Sequence, residues 1–108
     1  MQKPYTVRLA AAQYTTTGDK VVYTTPTGFT TVLRHAIIYN NDAGSATMDL
    51  YVALVSPSGN VHIYRALVTA TSSVLLDMRQ VLLPGDVVHL SVGGSGGGVM
   101  LTCYQFTS

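Results

Sequence analysis

Three histidines, five aspartates, one cysteine and seven tyrosines are the titratable side chains of this 108-residue sequence apart from its lysines and arginines; there is no glutamate. Acid–base or metal chemistry would have to come from His35, His62 and His89 with Asp19, Asp42, Asp49, Asp77 and Asp86. Their spacing builds neither. The histidines fall on three different strand-like segments, so no metal-ligand motif is present, and no HExxH, CxxC, Gly-x-Ser-x-Gly or phosphate loop occurs. A paired-carboxylate glycosidase needs two acids converging in a cleft, whereas several of these aspartates sit in turn-like contexts. Cys103, between Leu101 and Tyr104, reads as a packed thiol rather than a nucleophile. Neither catalytic residue, metal nor cofactor is expected, and the chain reads as no enzyme.

The tyrosines are more informative. Tyrosine combines apolar area with a hydroxyl, which suits interfaces and sugar-binding surfaces. Tyr39, Tyr51 and Tyr64 fall on successive strand candidates and are expected to form one patch. Arg34, Arg65, Asp77 and Arg79 lie on strands too apolar to hold them cheaply unless they are paired. Asp77 and Arg79, two apart on one face, can pair with each other or with a neighbouring subunit. These seven residues are the expected subunit interface.

The segments that carry them alternate with period two. Strands are predicted near 5–12, 20–24, 31–40, 47–55, 61–69, 73–82, 86–92 and 99–106, with no sustained helical periodicity. Met48, Leu50, Val52 and Leu54 share one face of the fourth, and Val88, Leu90 and Val92 one face of the seventh. Two segments alternate poorly, with Ile37 beside Ile38 and Ala66-Leu-Val68 unbroken, which reads as burial on both faces. Asn40–Ser45, Ser56–Asn60 and Gly93–Gly98 are expected to be mobile hairpin tips, the second a type I turn with a left-handed glycine; Pro84-Gly85 suits a type II turn. The expected fold is all-β, a jelly-roll-like antiparallel β-sandwich of seven or eight strands in a single domain over 1–108. Residues 1–20 are either an N-terminal arm pairing with a neighbour's sheet or an edge strand.

Composition narrows the partners. Only 10% of the chain is charged while 47% is hydrophobic, against a usual charged share of about 25%. Flanks this apolar need covering, and the nearest cover is other copies of the chain. Net charge is +1 with the cations scattered, so nucleic acid is not an expected partner. Arg8 interrupts any signal-like apolar stretch, and no apolar run approaches the roughly 20 residues that span a bilayer, so cytoplasmic synthesis without membrane insertion is expected.

The succession Pro26-Thr-Gly-Phe-Thr-Thr-Val-Leu-Arg-His-Ala-Ile-Ile-Tyr-Asn-Asn41, followed by Leu76-Asp-Met-Arg-Gln-Val-Leu-Leu-Pro-Gly-Asp-Val-Val88, resembles small virion proteins of tailed bacteriophages. The likeness is to sandwich-type minor tail, tail-tip and capsid-accessory proteins, especially from phages of actinobacteria. It spans roughly residues 20–106 as a pattern rather than a fixed motif. It implies a non-enzymatic virion component, a homo-oligomer with the trimer favoured, bound to other virion proteins. It offers no catalytic residues. A module binding a host-surface glycan or receptor is the alternative.

Overall fold

A computed structural model describes residues 5–15, 17–55, 58–94 and 96–107. The described residues form eight strands: β1 (Tyr5–Tyr14), β2 (Gly18–Thr24), β3 (Phe29–Asn40), β4 (Ala46–Leu54), β5 (Gly59–Val68), β6 (Ser72–Leu82), β7 (Val87–Val92) and β8 (Gly97–Thr107). They form two four-stranded sheets, one in the order β1-β8-β3-β6 and the other β2-β7-β4-β5, with every pairing antiparallel. Only β4 and β5 are both consecutive in the chain and adjacent in a sheet. Every other connection crosses between sheets, and this is the strand order of the eight-stranded jelly roll. No described helix is long and apolar enough to cross a membrane.

The alternation sets the inside. Met48, Leu50 and Val52 of β4 and Val88, Leu90 and Val92 of β7 face Leu33, Ala36 and Ile38 of β3 and Val99, Leu101 and Cys103 of β8, all buried. Neither poorly alternating segment is buried on both faces: a bulge shifts the parity along β3, while in β5 the Ala66–Val68 run alternates regularly with Leu67 on the outer face. Along β3, Leu33 pairs with Cys103 and His35 with Thr102, so Arg34 is an extra residue. It switches the inward set from Thr31 and Leu33 to Ala36, Ile38 and Asn40. Ile37 consequently faces outward, 36% exposed. In β5, Ile63 is the extra residue between Tyr64, opposite Leu50, and His62, opposite Tyr51. Leu67 points outward, opposite Thr47, and is 61% exposed because no second layer covers the outer sheet faces among the described residues.

Two connections differ from the expected hairpin tips, since 41–45 and 93–96 pass between sheets. The glycine run is also shorter as a connector than expected: Gly97 and Gly98 belong to β8 and are buried. Of the expected type I turn, residues 56 and 57 lie outside the described residues, while Gly59 takes a φ of +151°. The Pro84-Gly85 turn closes with Asp86 N–H donating to Leu83 O at 3.0 Å, with Gly85 at φ +92°. Of the candidate arm, residues 5–14 pair with β8 of their own chain and form an edge of the first sheet, and residues 1–4 and 16 lie outside the described residues.

Burial pushes the Cys103 thiol up to about 11. The thiol is therefore protonated at pH 8, and the folded protein is expected to resist alkylation there, reacting fully once unfolded in urea. Mass spectrometry of iodoacetamide-treated samples reads this out; rapid labelling of the folded chain would contradict the packing.

Candidate functional site

The two outer sheet faces carry the chain's functional candidates. On the first sheet, the register lines up rows across β8, β3 and β6: Met100–Ile37–Leu75, Thr102–His35–Asp77 and Tyr104–Val32–Val81. Two of the three rows are mainly apolar, and Leu75 is 64% and Val81 48% exposed. Between them, His35 Nε2 lies 3.0 Å from Asp77 Oδ1. Asp77 thus pairs with His35 across the strands, not with Arg79, which makes no ion pair among the described residues. Arg34, at the bulge, places its guanidinium 5.2 Å from the centre of the Tyr104 ring, while its Nε is shut from solvent without a hydrogen-bond partner.

The outer face of the second sheet is more polar. One cross-strand row runs Val21–His89–Tyr51–His62 and the next Asp19–Ser91–Asp49–Arg65. Tyr51 stacks on His89 with ring centres 4.8 Å apart and planes 2° from parallel, and meets His62 at 5.4 Å. Such a ladder follows from neighbouring strands lying about 4.8 Å apart. The Tyr51 hydroxyl donates to Asp19 Oδ2 at 2.9 Å. Burial first, then that hydrogen bond and the charges of Asp19 and Asp49, raise its pKa and keep it a phenol. His62 Nδ1 lies 2.8 Å from Asp49 Oδ1, and Arg65 Nε is 3.9 Å from Asp49 Oδ2. His89 Nδ1 approaches Asp19 Oδ2 at 3.2 Å but is too poorly aligned for a hydrogen bond, so that buried nitrogen makes none. No group of three or more His, Cys, Asp or Glu among the described residues is arranged to hold a metal ion.

The seven expected interface residues thus divide. Arg34, Tyr39, Asp77 and Arg79 lie on the outer face of the first sheet, and Tyr51 and Arg65 on that of the second. Tyr64 turns inward and packs against the core. The expected single patch of Tyr39, Tyr51 and Tyr64 does not exist, because β3 belongs to the other sheet and Tyr64 shares the inward parity of Leu50. The spacing of His62, Tyr51 and His89 in sequence does not reveal their ladder. Its one sequence signal is the outward parity of Asp49, Tyr51 and His89, which joins them only once strand order is known.

A separate pocket of about 200 Å³ opens at the end of the sandwich, lined by Tyr39, Asn40, Asn41, Thr71, Ser72 and Ser73.

No protein-family model matches the chain, and no curated protein matches it in sequence. Solved structures share its fold. A chain of the T13 particle of infectious bursal disease virus superposes with a TM-score of 0.65 at 10% identity, covering 97% of this chain and 31% of that one. A chain of the Gx strain of that virus gives 0.58, also at 10% identity, covering 95% and 31%. The chain therefore spans about a third of the length of these virus chains. The Drosophila NLP core, described for its pentamer formation and histone binding, gives 0.50 at 14% identity, covering 91% and 99%. Identities this low establish a shared fold.

Proposed function

We propose that the protein is a non-enzymatic structural subunit of a virus particle, a minor tail or capsid-accessory protein of a tailed bacteriophage, held in a homo-oligomer and bound to other virion proteins. One observation carries this reading: the apolar rows on the outer face of the first sheet, centred on Ile37 and Leu75, on a jelly roll that has few charges to keep such a face in water. Arg34 and Arg79 beside those rows, one with an orphaned nitrogen and one without a carboxylate partner, are groups that a neighbouring subunit would satisfy. The jelly roll shared with chains of an icosahedral virus particle supports the same reading.

A trimer is the favoured assembly, since three copies around a closed axis can each cover one flank. Light scattering at micromolar concentration is expected to give an oligomeric mass for the wild type. Leu75→Asp should convert it to a monomer that keeps its fold, with an unchanged far-UV circular dichroism spectrum, because the side chain is mostly exposed within the chain. A soluble monomeric wild type, or an oligomer indifferent to Leu75→Asp, would overturn the assignment of this face.

A further inference from the structure

We propose that the pocket beside Tyr39 binds one uncharged pyranose unit of a glycan. The proposal stands apart from the chain's place in a particle and rests on the pocket's chemistry. Its six lining residues are all neutral. No cation is there to balance a phosphate, sulfate or carboxylate, and no carboxylate to hold a cation, so a charged ligand would be desolvated without compensation.

The hydrogen-bonding capacity is specific. Asn40 is spent on the fold: its Nδ2 donates to Gly44 O at 2.9 Å and Val68 O at 3.0 Å, and its Oδ1 accepts from Asp42 N–H at 2.9 Å. Ser72 is locked locally, donating to Thr69 O at 2.8 Å and lying 2.6 Å from Thr69 Oγ1. The Thr71 hydroxyl donates to Ala70 O at 2.8 Å, so toward a ligand it can only accept. The Asn41 side-chain amide and Ser73 hydroxyl make no hydrogen bond within the described residues and are free to donate and accept, while the Asn41 main-chain N–H donates to Gly96 O at 3.3 Å. A fitting ligand therefore brings several hydroxyl groups at fixed spacing and one less polar flank to lie near the Tyr39 ring. A pyranose has that form.

Backbone strain points to the same place. Thr71 has φ +52°, a conformation in which a β-branched residue is an outlier. It lies in the short crossover from β5 to β6, where glycine would adopt the same backbone without cost. A strained threonine kept on a pocket wall motivates a binding role, because strain of this kind collects at ligand sites.

Saturation-transfer NMR on the isolated protein tests this with glucose, galactose, mannose, N-acetylglucosamine and rhamnose, and with N-acetylneuraminic acid as the charged control. At least one neutral sugar should bind and the charged sugar should not. Ser73→Ala should weaken binding about tenfold, the worth of one lost hydrogen bond. Thr71→Gly should weaken it while raising the unfolding temperature, a divergence that general loss of structure cannot produce. The proposal is overturned if no neutral sugar binds, if the charged sugar binds more tightly, or if binding is unchanged in both variants.

Discussion

Asp86→Ala is expected to destabilise the fold by about 2–4 kcal/mol, since two main-chain donors lose a buried, charged acceptor. Asp86 is only 4% exposed. Its Oδ1 accepts from Val55 N–H at 3.0 Å and its Oδ2 from Leu83 N–H at 2.9 Å, while its own carbonyl accepts from Thr25 N–H at 2.9 Å. One residue thus gathers the β2–β3, β4–β5 and β6–β7 connections at one end of the sandwich. Only the side-chain bonds are lost in the alanine variant, so the turn's main-chain contacts survive and the fold should persist at reduced stability. For a domain of this size the loss corresponds to a fall of roughly 10–20 °C in unfolding temperature. Asp86→Asn, which keeps one acceptor but turns an amide toward the other donor, should fall between the two. Thermal unfolding followed by circular dichroism measures all three. An alanine variant melting with the wild type would mean that the carboxylate does not hold these connections.

At the other end Asn40 has the corresponding role, tying the β3–β4 connection to the end of β5 through Gly44 O and Val68 O. What the sequence reveals of these two residues shows where sequence reading stops. The turn chemistry around both is local, and it reads correctly: Asp42 N–H donates to the Asn40 side chain, and Pro84-Gly85 makes a closed turn. The long-range halves of both networks are invisible, because they join connections that only the sheet order brings together. The same division runs through the fold. All eight strands are legible, since a period of two between an apolar core and solvent is written directly in residue order, as in Met48, Leu50 and Val52. The bulges at Arg34 and Ile63 are not, because one extra residue reverses the parity of everything after it without altering composition. That reversal makes Ile37-Ile38 resemble doubly buried strand and gives Tyr64 to the core. The His62–Tyr51–His89 ladder needs three strands set side by side, and strand order is a property of the whole chain.

Gly93→Ala is expected to cost at least about 2 kcal/mol, the range of overpacking at a site that cannot relax. The glycine run 93–98 reads in sequence as a mobile hairpin tip, but a Cβ on Gly93 would lie 2.4 Å from Thr47 O and 3.1 Å from Thr47 N. Those atoms are the backbone of β4, which is held on both sides by β5 and β7 and cannot swing away as a side chain would. The backbone at Gly93 is not in the left-handed region, so the cost is steric rather than conformational. Gly97 is also confined: its Cβ would meet Met48 Cε at 2.8 Å and Tyr39 O at 2.9 Å, the first a flexible tip and the second fixed main chain. Gly44 supplies the control. It sits in the β3–β4 connection with nothing within 4 Å of an added Cβ, and its φ is ordinary. Gly44→Ala should leave stability unchanged or raise it by about 0.4–1 kcal/mol through the unfolded chain's lost freedom. Chemical denaturation of the two variants beside the wild type separates the readings. Equal midpoints for Gly93→Ala and Gly44→Ala would restore the flexible-connector reading, whereas loss in the first alone makes close approach to β4 the reason for glycine there.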